Sequence, residues 1–245
     1  EEIEDVLPSI EEVYFTGGES LFMPQHYRLL DMLIERGLKP RLTYNSNATR
    51  LSLKGKHIKD YWQHFDNIFY CVSLDQVERK AEYTRAGQTW DTVFTNLCWI
   101  RDNFEHSYDK GVVIQPNPTI SALNVVDLRH IVNYLFEHNI PTDYDINLSN
   151  LLVGPEWMSC TILPEHIKAK AKENIELLKQ DIDKRKMYPQ RREFLHNGLD
   201  NIVNFMYNSD DTHLIPEFRV QMQKMDMKRG ENFLKVFPEL KDLYV

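Results

Sequence analysis

Two adjacent glycines followed by a carboxylate form the segment of this chain best suited to hold a ligand. Gly17, Gly18 and Glu19 come directly after the apolar residues 13–16 (VYFT), and a helical pattern begins at Pro24. Because glycine has no Cβ, backbone at this position can approach a ligand closely. A carboxylate fixed beside it can accept hydrogen bonds from an ammonium group. The same residues would also suit an ordinary tight turn with a surface glutamate.

Strand and helix patterns alternate through the first part of the chain. The predicted strands cover residues 13–16, 41–44, 68–73, 111–115 and 143–147. The predicted helices between them cover residues 24–37, 58–64, 90–103 and 125–139. Such alternation is typical of a parallel sheet covered by helices, in which ligands bind at the carboxyl ends of the strands. Four polar residues fall at those ends: Glu19, Asn47, Ser73 and Gln115.

The strand pattern stops at about residue 155, and the rest of the chain is predicted to be helical. Three helical patterns cover residues 164–185, 191–207 and 214–228, and Gly230 is expected to end the last of them. We therefore expect an α/β domain over residues 1–154 and a helical accessory region over residues 155–245.

The composition is that of a globular protein. The chain has 245 residues, of which 42% are hydrophobic and 11% aromatic, enough to build a core. Its net charge of −8 argues against broad binding to nucleic acid, which needs many contacts to phosphates. No apolar run approaches the length of a membrane-spanning helix, so we expect no membrane partner.

The cysteines indicate neither a disulfide framework nor a metal site. Cys71, Cys98 and Cys160 are far apart in sequence, and no pair has the spacing of a metal-binding loop. We expect all three to be small buried hydrophobic residues in a reducing, cytoplasmic compartment. The nine histidines include no H-x-x-x-H pair, so no zinc ligand set is predicted either.

Several of these segments, in this order, resemble the radical S-adenosylmethionine superfamily. The family's second strand ends in Gly-Gly-Glu, as at residues 17–19, and its third strand leads into Thr-Asn-Gly-Thr, similar to residues 42–49 (LTYNSNAT). The fourth strand ends in Ser-x-Asp, as at Ser73 and Asp75. Arg85 follows in the sequence YTRAG, before the helical pattern that the family also has there.

The resemblance covers roughly residues 11–150 and implies a partial (β/α)6 barrel of the TIM type that lacks its first strand. Enzymes of this family use a 4Fe-4S cluster to cleave S-adenosylmethionine reductively, and the 5′-deoxyadenosyl radical abstracts hydrogen from a substrate. The C-terminal region resembles family members with a shortened accessory part, the twitch domain. By this resemblance the substrate is a peptide or small molecule, and the electron donor is a flavodoxin or ferredoxin.

The resemblance implies eight cofactor-binding residues: Gly17, Gly18, Glu19, Asn47, Ser73, Asp75, Arg85 and Gln115. Glu19 would bind the ammonium group of S-adenosylmethionine, and Arg85 and Ser73 its carboxylate. Asp75 would contact the ribose or else cap the next turn, and Asn47 would serve either the ligand or its own turn. Arg85 would otherwise pair with a carboxylate nearby in sequence: Glu78, Glu82 or Asp91. No catalytic residue is assigned.

The chain departs from the family in its cysteines. The family's C-x-x-x-C-x-x-C loop would precede residue 13, where this sequence has no cysteine. We therefore expect a fragment without the cluster loop and the first strand, inactive by itself. The alternative is a cofactor-free binding or scaffold module on a degenerate barrel. A barrel lyase or aldolase is a third hypothesis, although the predicted strand ends carry no lysine for it.

Overall fold

A computed structural model describes residues 6–107, 110–142 and 146–244. Its strands are β1 Glu12–Phe15, β2 Arg41–Ser46, β3 Ser52–Leu53, β4 Lys56–His57, β5 Asn67–Val72, β6 His106–Ser107 and β7 Lys110–Pro116. Its helices are α1 Pro24–Glu35, α2 Ile58–Trp62, α3 Glu78–Thr84, α4 Trp90–Asn103, α5 Leu128–Glu137, α6 Glu165–Asp183, α7 Pro189–Met206, α8 Ile215–Arg229, α9 Phe233–Val236 and α10 Lys241–Tyr244.

One five-stranded sheet has the strand order β1-β2-β5-β7-β6. The first four strands are parallel and follow one another in chain order, whereas β6 pairs antiparallel with β7 at the edge. Parallel neighbours in chain order are the arrangement of a singly wound sheet, as in barrels of alternating strands and helices. The α/β class predicted from the sequence is confirmed, and closure into a partial barrel stays a prediction.

One predicted strand is not matched by the structure, and two observed features were not predicted. Of the predicted strand at residues 143–147, residues 143–145 lie outside the described part of the chain, and Ile146 and Asn147 are not in a strand. Helix α3 was not predicted, because its sequence ERKAEYT is short and largely polar. The antiparallel pair β3–β4 was missed for a similar reason, since each strand has only two residues.

The region beyond residue 155 is mainly helical, as predicted. Pro189 is the first residue of α7, where its missing N–H costs no hydrogen bond. Gly230 ends α8 in the left-handed conformation, with φ of 65°, which only glycine adopts without strain. In the described ranges no helix combines the length and apolar character needed to cross a membrane.

The chain forms two compact units from interleaved segments. The sheet unit consists of Glu1–Ser73, Asp91–Pro116 and His138–Asp145, and it contains the five-stranded sheet. The helical unit consists of Leu74–Trp90, Asn117–Glu137 and Ile146–Val245. The predicted division between residues 154 and 155 stays a prediction.

Buried aromatic side chains form the core of the sheet unit around Tyr44. The Tyr44 ring stacks on Phe15 at 4.7 Å between centroids and packs at 5.2 Å from Trp62. Its hydroxyl accepts a hydrogen bond from Trp62 Nε1 at 3.2 Å and lies 2.9 Å from His26 Nε2. Burial lowers the pKa of His26 to about 4, so this imidazole is neutral near pH 7.

In the helical unit, Asp226 joins several elements. Its carboxylate accepts hydrogen bonds from the hydroxyls of Tyr83 at 2.9 Å and Tyr244 at 2.8 Å. It also accepts from the backbone N–H of Phe233 at 2.9 Å, at the start of α9. Three donors on separate elements therefore meet at one carboxylate.

Replacing Tyr44 by Phe should destabilise the protein by about 1–3 kcal/mol, because the Trp62 N–H and the His26 ring would lose a buried partner. Equilibrium unfolding in urea measures this free energy. The control is Tyr188→Phe, where the side chain is 70% exposed and we expect a change within about 0.5 kcal/mol. Equal costs for the two variants would contradict the role given to the Tyr44 hydroxyl.

Candidate functional site

The Gly-Gly-Glu segment forms the turn at the carboxyl end of β1. Gly17 and Gly18 have φ of 82° and 42°, a conformation that side-chain-bearing residues seldom adopt. A Cβ added to either residue would meet no atom within 4 Å, so conformation and not crowding requires glycine here. The turn places Glu19 before a short 3₁₀ helix at Ser20–Phe22, whose Leu21 N–H lies 3.4 Å from Glu19 Oε1.

The Glu19 carboxylate is held by the end of the neighbouring strand. Its Oε2 accepts hydrogen bonds from Asn47 N and Ser46 Oγ, each at 2.9 Å. Ser46 Oγ in turn accepts from the Tyr70 hydroxyl at 2.8 Å and from Ala48 N at 3.0 Å. A buried hydrogen-bond chain therefore runs from Tyr70 through Ser46 to Glu19.

Glu19 is a buried acid held by neutral donors. The residue is only 8% exposed, and burial raises the pKa of its carboxyl, although the bonds from Asn47, Ser46 and Leu21 act in the opposite direction. Among the described residues no basic group contributes to this shift. A carboxylate with neutral donors and no cation is chemically suited to an ammonium ligand, which would compensate the charge.

Two other predicted residues adjoin this carboxylate in the sheet unit. Asn47 donates its backbone N–H to Glu19, while its side-chain oxygen accepts from Thr49 Oγ1 at 2.8 Å. The positive φ of this turn, 56°, falls on Ala48 and not on Asn47. Ser73 follows β5, and its N–H donates to Ser46 O at 2.9 Å. The structure thus joins Glu19 directly to Asn47, and joins Ser73 to the strand end that holds Glu19.

Gln115 is not among the residues that contact the Glu19 carboxylate, and it lies instead beside a cysteine. Gln115 on β7 is 6% exposed, and its Oε1 lies 3.9 Å from Cys71 Sγ. The expectation that all cysteines are buried was wrong for Cys71 and Cys98, which are half-buried, and right for Cys160. Burial raises the pKa of Cys71 to about 11 and that of Cys160 to about 12, so both thiols are protonated near pH 7.

The cysteines present do not fit an iron–sulfur cluster, which requires several thiolates close together. Within residues 6–107, 110–142 and 146–244, no three His, Cys, Asp or Glu side chains are grouped so that they could hold a metal ion.

Asp75 and Arg85 form an ion pair in the helical unit. Nε and Nη2 of Arg85 each lie 2.8 Å from Asp75 Oδ2, and Asp75 Oδ1 accepts from Thr119 N at 2.8 Å. The carboxylate partner of Arg85 is therefore none of the three considered from the sequence. Two of those have other neighbours: Glu82 pairs with Arg79, and Glu78 Oε2 lies 3.6 Å from His130 Nε2.

Sequence reasoning missed Ser46 and Tyr70. Both lie on strands whose burial alternates residue by residue, and both occupy inward positions. A serine at a buried position of an otherwise apolar strand face needs a hydrogen-bond partner, and that signal was present in the sequence.

Few known proteins resemble this chain in sequence or structure. No protein-family model matches the chain, and no curated protein matches it in sequence. One similar solved structure is described as native anSMEcpe with bound AdoMet and Cp18Cys peptide. The identity is 15% over 69% of this chain and 47% of that one, with a TM-score of 0.46. This chain thus spans about half the length of that protein, and the likeness is too slight to establish a fold or a function.

Glu19 should make stability depend on pH in a defined direction. Burial raises the pKa of Glu19 in the folded protein above its ordinary value of 4.5. At pH values between these two, the folded state therefore binds more protons than the unfolded state. The free energy of unfolding of the wild type, minus that of Glu19→Gln, should therefore fall as the pH rises from about 4 to about 7. Urea unfolding at several pH values measures this difference, and an increase with pH would contradict the burial argument.

Reconstitution with iron and sulfide tests the interpretation of the cysteines. We expect the purified chain, treated anaerobically, to take up no 4Fe-4S cluster, because its three cysteines supply no grouped ligand set. Iron analysis and visible absorption measure the outcome. Iron in a constant ratio of about four per chain, together with the cluster's absorption band, would overturn this expectation.

Proposed function

We propose that this chain is the S-adenosylmethionine-binding part of a radical S-adenosylmethionine enzyme, and that Glu19 binds the ammonium group of the cofactor. The observation that carries the proposal is a buried carboxylate without a cationic partner among the described residues. It comes directly after two glycines in the left-handed conformation, at the carboxyl end of a parallel strand.

The hydrogen-bonding capacity of Glu19 supports an ammonium ligand. An ionised carboxylate has about four lone-pair sites, and three neutral donors contact this one: Leu21 N, Ser46 Oγ and Asn47 N. A further donor can therefore be accepted. The open space beside Gly17 and Gly18 leaves room for the ligand to approach backbone at this turn. Ser46 and Asn47 would orient the carboxylate, and Glu19 would orient the ligand.

The finer assignments rest on the sequence resemblance. S-Adenosylmethionine, when bound and reduced, supplies the radical that abstracts hydrogen from a substrate, and the iron–sulfur cluster would need ligands other than these cysteines. We propose a peptide or small-molecule substrate and a flavodoxin or ferredoxin as the electron donor. The cofactor roles of Ser73, Asp75, Arg85 and Gln115, and the division into residues 1–154 and 155–245, are likewise proposals.

A cofactor-free scaffold is the alternative, and a specific observation favours it. Both charged residues that would recognise the zwitterion already have protein partners: Glu19 binds the end of β2, and Arg85 is paired with Asp75. On this alternative, the two residues stabilise their own turns and the chain has no affinity for S-adenosylmethionine.

Calorimetric titration of the chain with S-adenosylmethionine distinguishes the two functions. Glu19→Gln keeps the size of the side chain but removes its charge, so affinity should fall about ten- to hundredfold. Glu35→Gln is the matched control, since Glu35 is an exposed glutamate of the same unit, and its affinity should equal that of the wild type. 5′-Methylthioadenosine lacks the ammonium group, so its binding should not respond to Glu19→Gln.

Two results would contradict the proposal. One is a wild-type chain that is folded but does not bind S-adenosylmethionine, as the scaffold alternative expects. The other is equal binding by the wild type and a folded Glu19→Gln variant, which would place the ammonium group elsewhere.

A further inference from the structure

The helical unit contains a partly open cavity of about 190 Å³, and of its lining residues only Asp75 has been given a role above. Four apolar side chains line it: Leu123, Leu152, Met158 and Met225. Methionine side chains are flexible and polarisable, and their sulfur atoms make favourable contacts with aromatic rings. The wall of the cavity is therefore suited to an aromatic ligand.

The volume limits the size of that ligand. An apolar cavity of about 150 Å³ is known to hold one benzene molecule. A cavity of about 190 Å³ is somewhat larger, so it has room for one six-membered ring with a small substituent.

The polar groups of the cavity include two acceptors, Asp75 and Thr84, and the hydroxyl of Ser121, whose oxygen accepts from Leu123 N at 3.3 Å. The charge of Asp75 is compensated by Arg85, and the Thr119 N–H occupies its other oxygen. The Thr84 hydroxyl has backbone carbonyls as the acceptors for its proton, the nearer being Lys80 O at 2.9 Å, which leaves its oxygen free to accept. A ligand with one neutral O–H donor would satisfy such a wall. An anionic ligand would meet the Asp75 carboxylate, and a cationic ligand would find the charge of that carboxylate already compensated by Arg85.

We propose that this cavity binds a neutral phenolic ring, with the ring between Met158 and Met225 and the hydroxyl toward Asp75 and Thr84. The proposal does not rest on the binding of S-adenosylmethionine by Glu19, which belongs to the sheet unit, although Asp75 has been assigned to both sites. The ring could come from a tyrosine side chain of a peptide or from a free phenol, because both present the same group.

Methionine-methyl NMR of the carbon-13-labelled chain tests the site directly, with p-cresol as the probe. We expect saturable shifts at Met158 and Met225, with a dissociation constant in the millimolar range for so small a ligand. Met227 lies on the same helix but is 77% exposed, so its signal should not move. Toluene lacks the hydroxyl and should bind about three- to tenfold more weakly. N-Acetyltyrosinamide distinguishes the two sources of the ring. If it binds as tightly as p-cresol or more tightly, the natural ligand is a tyrosine side chain of a peptide. If p-cresol binds and N-acetyltyrosinamide does not, the natural ligand is a free phenol.

A pair of tryptophan variants gives the matched control. Met225→Trp should fill the cavity and abolish binding of p-cresol, whereas Met227→Trp should leave it unchanged. Met158→Trp repeats the test if Met225→Trp does not fold. Glu19→Gln should also leave p-cresol binding unchanged, so this site can fail or succeed separately from the cofactor site. The proposal is wrong if p-cresol causes no saturable shift, if toluene binds equally well, or if a folded Met225→Trp variant still binds p-cresol.

Discussion

Burying the Glu19 carboxylate is the constraint on which the carboxyl edge of the sheet unit depends. A buried carboxylate is costly unless hydrogen bonds satisfy it. Here they come from Ser46 and Asn47, and Ser46 is itself fixed by the Tyr70 hydroxyl. The turn after β1, the end of β2 and the interior of β5 are therefore coupled through one acid. The left-handed glycines before it allow the chain to reach this position.

The same constraint connects structure to chemistry. Neutral donors hold the carboxylate in place but do not compensate its charge, so burial raises its pKa. A ligand that brings a positive charge would relieve this penalty. A glutamate that only stabilised its own turn would gain nothing from a buried, uncompensated charge. The aromatic cluster around Tyr44 keeps the strands that carry these donors in register, with Tyr44 paired to Tyr70 across β2 and β5.

Local patterns in the sequence were enough to predict the parallel strands, the longer helices and the turn at Glu19. The end of a strand can be recognised where an apolar segment gives way to glycine or polar residues, and this signal does not depend on contacts with residues distant in sequence. The partner of Arg85 was not predictable in this way. Asp75 and Arg85 lie on either side of helix α3, which was not predicted, and the ion pair depends on that helix forming. Ser46 was missed because its role depends on Tyr70, which is brought near by the pairing of separate strands.

The pKa of the Glu19 carboxyl, measured by carbon-13 NMR with and without S-adenosylmethionine, tests the central claim most directly. Without ligand, it should lie above the ordinary value of 4.5, because the group is buried among neutral donors. With S-adenosylmethionine it should fall, since an ammonium group beside the carboxylate favours the charged form. A pKa that S-adenosylmethionine leaves unchanged at a saturating concentration would contradict the claim that Glu19 binds the cofactor's ammonium group.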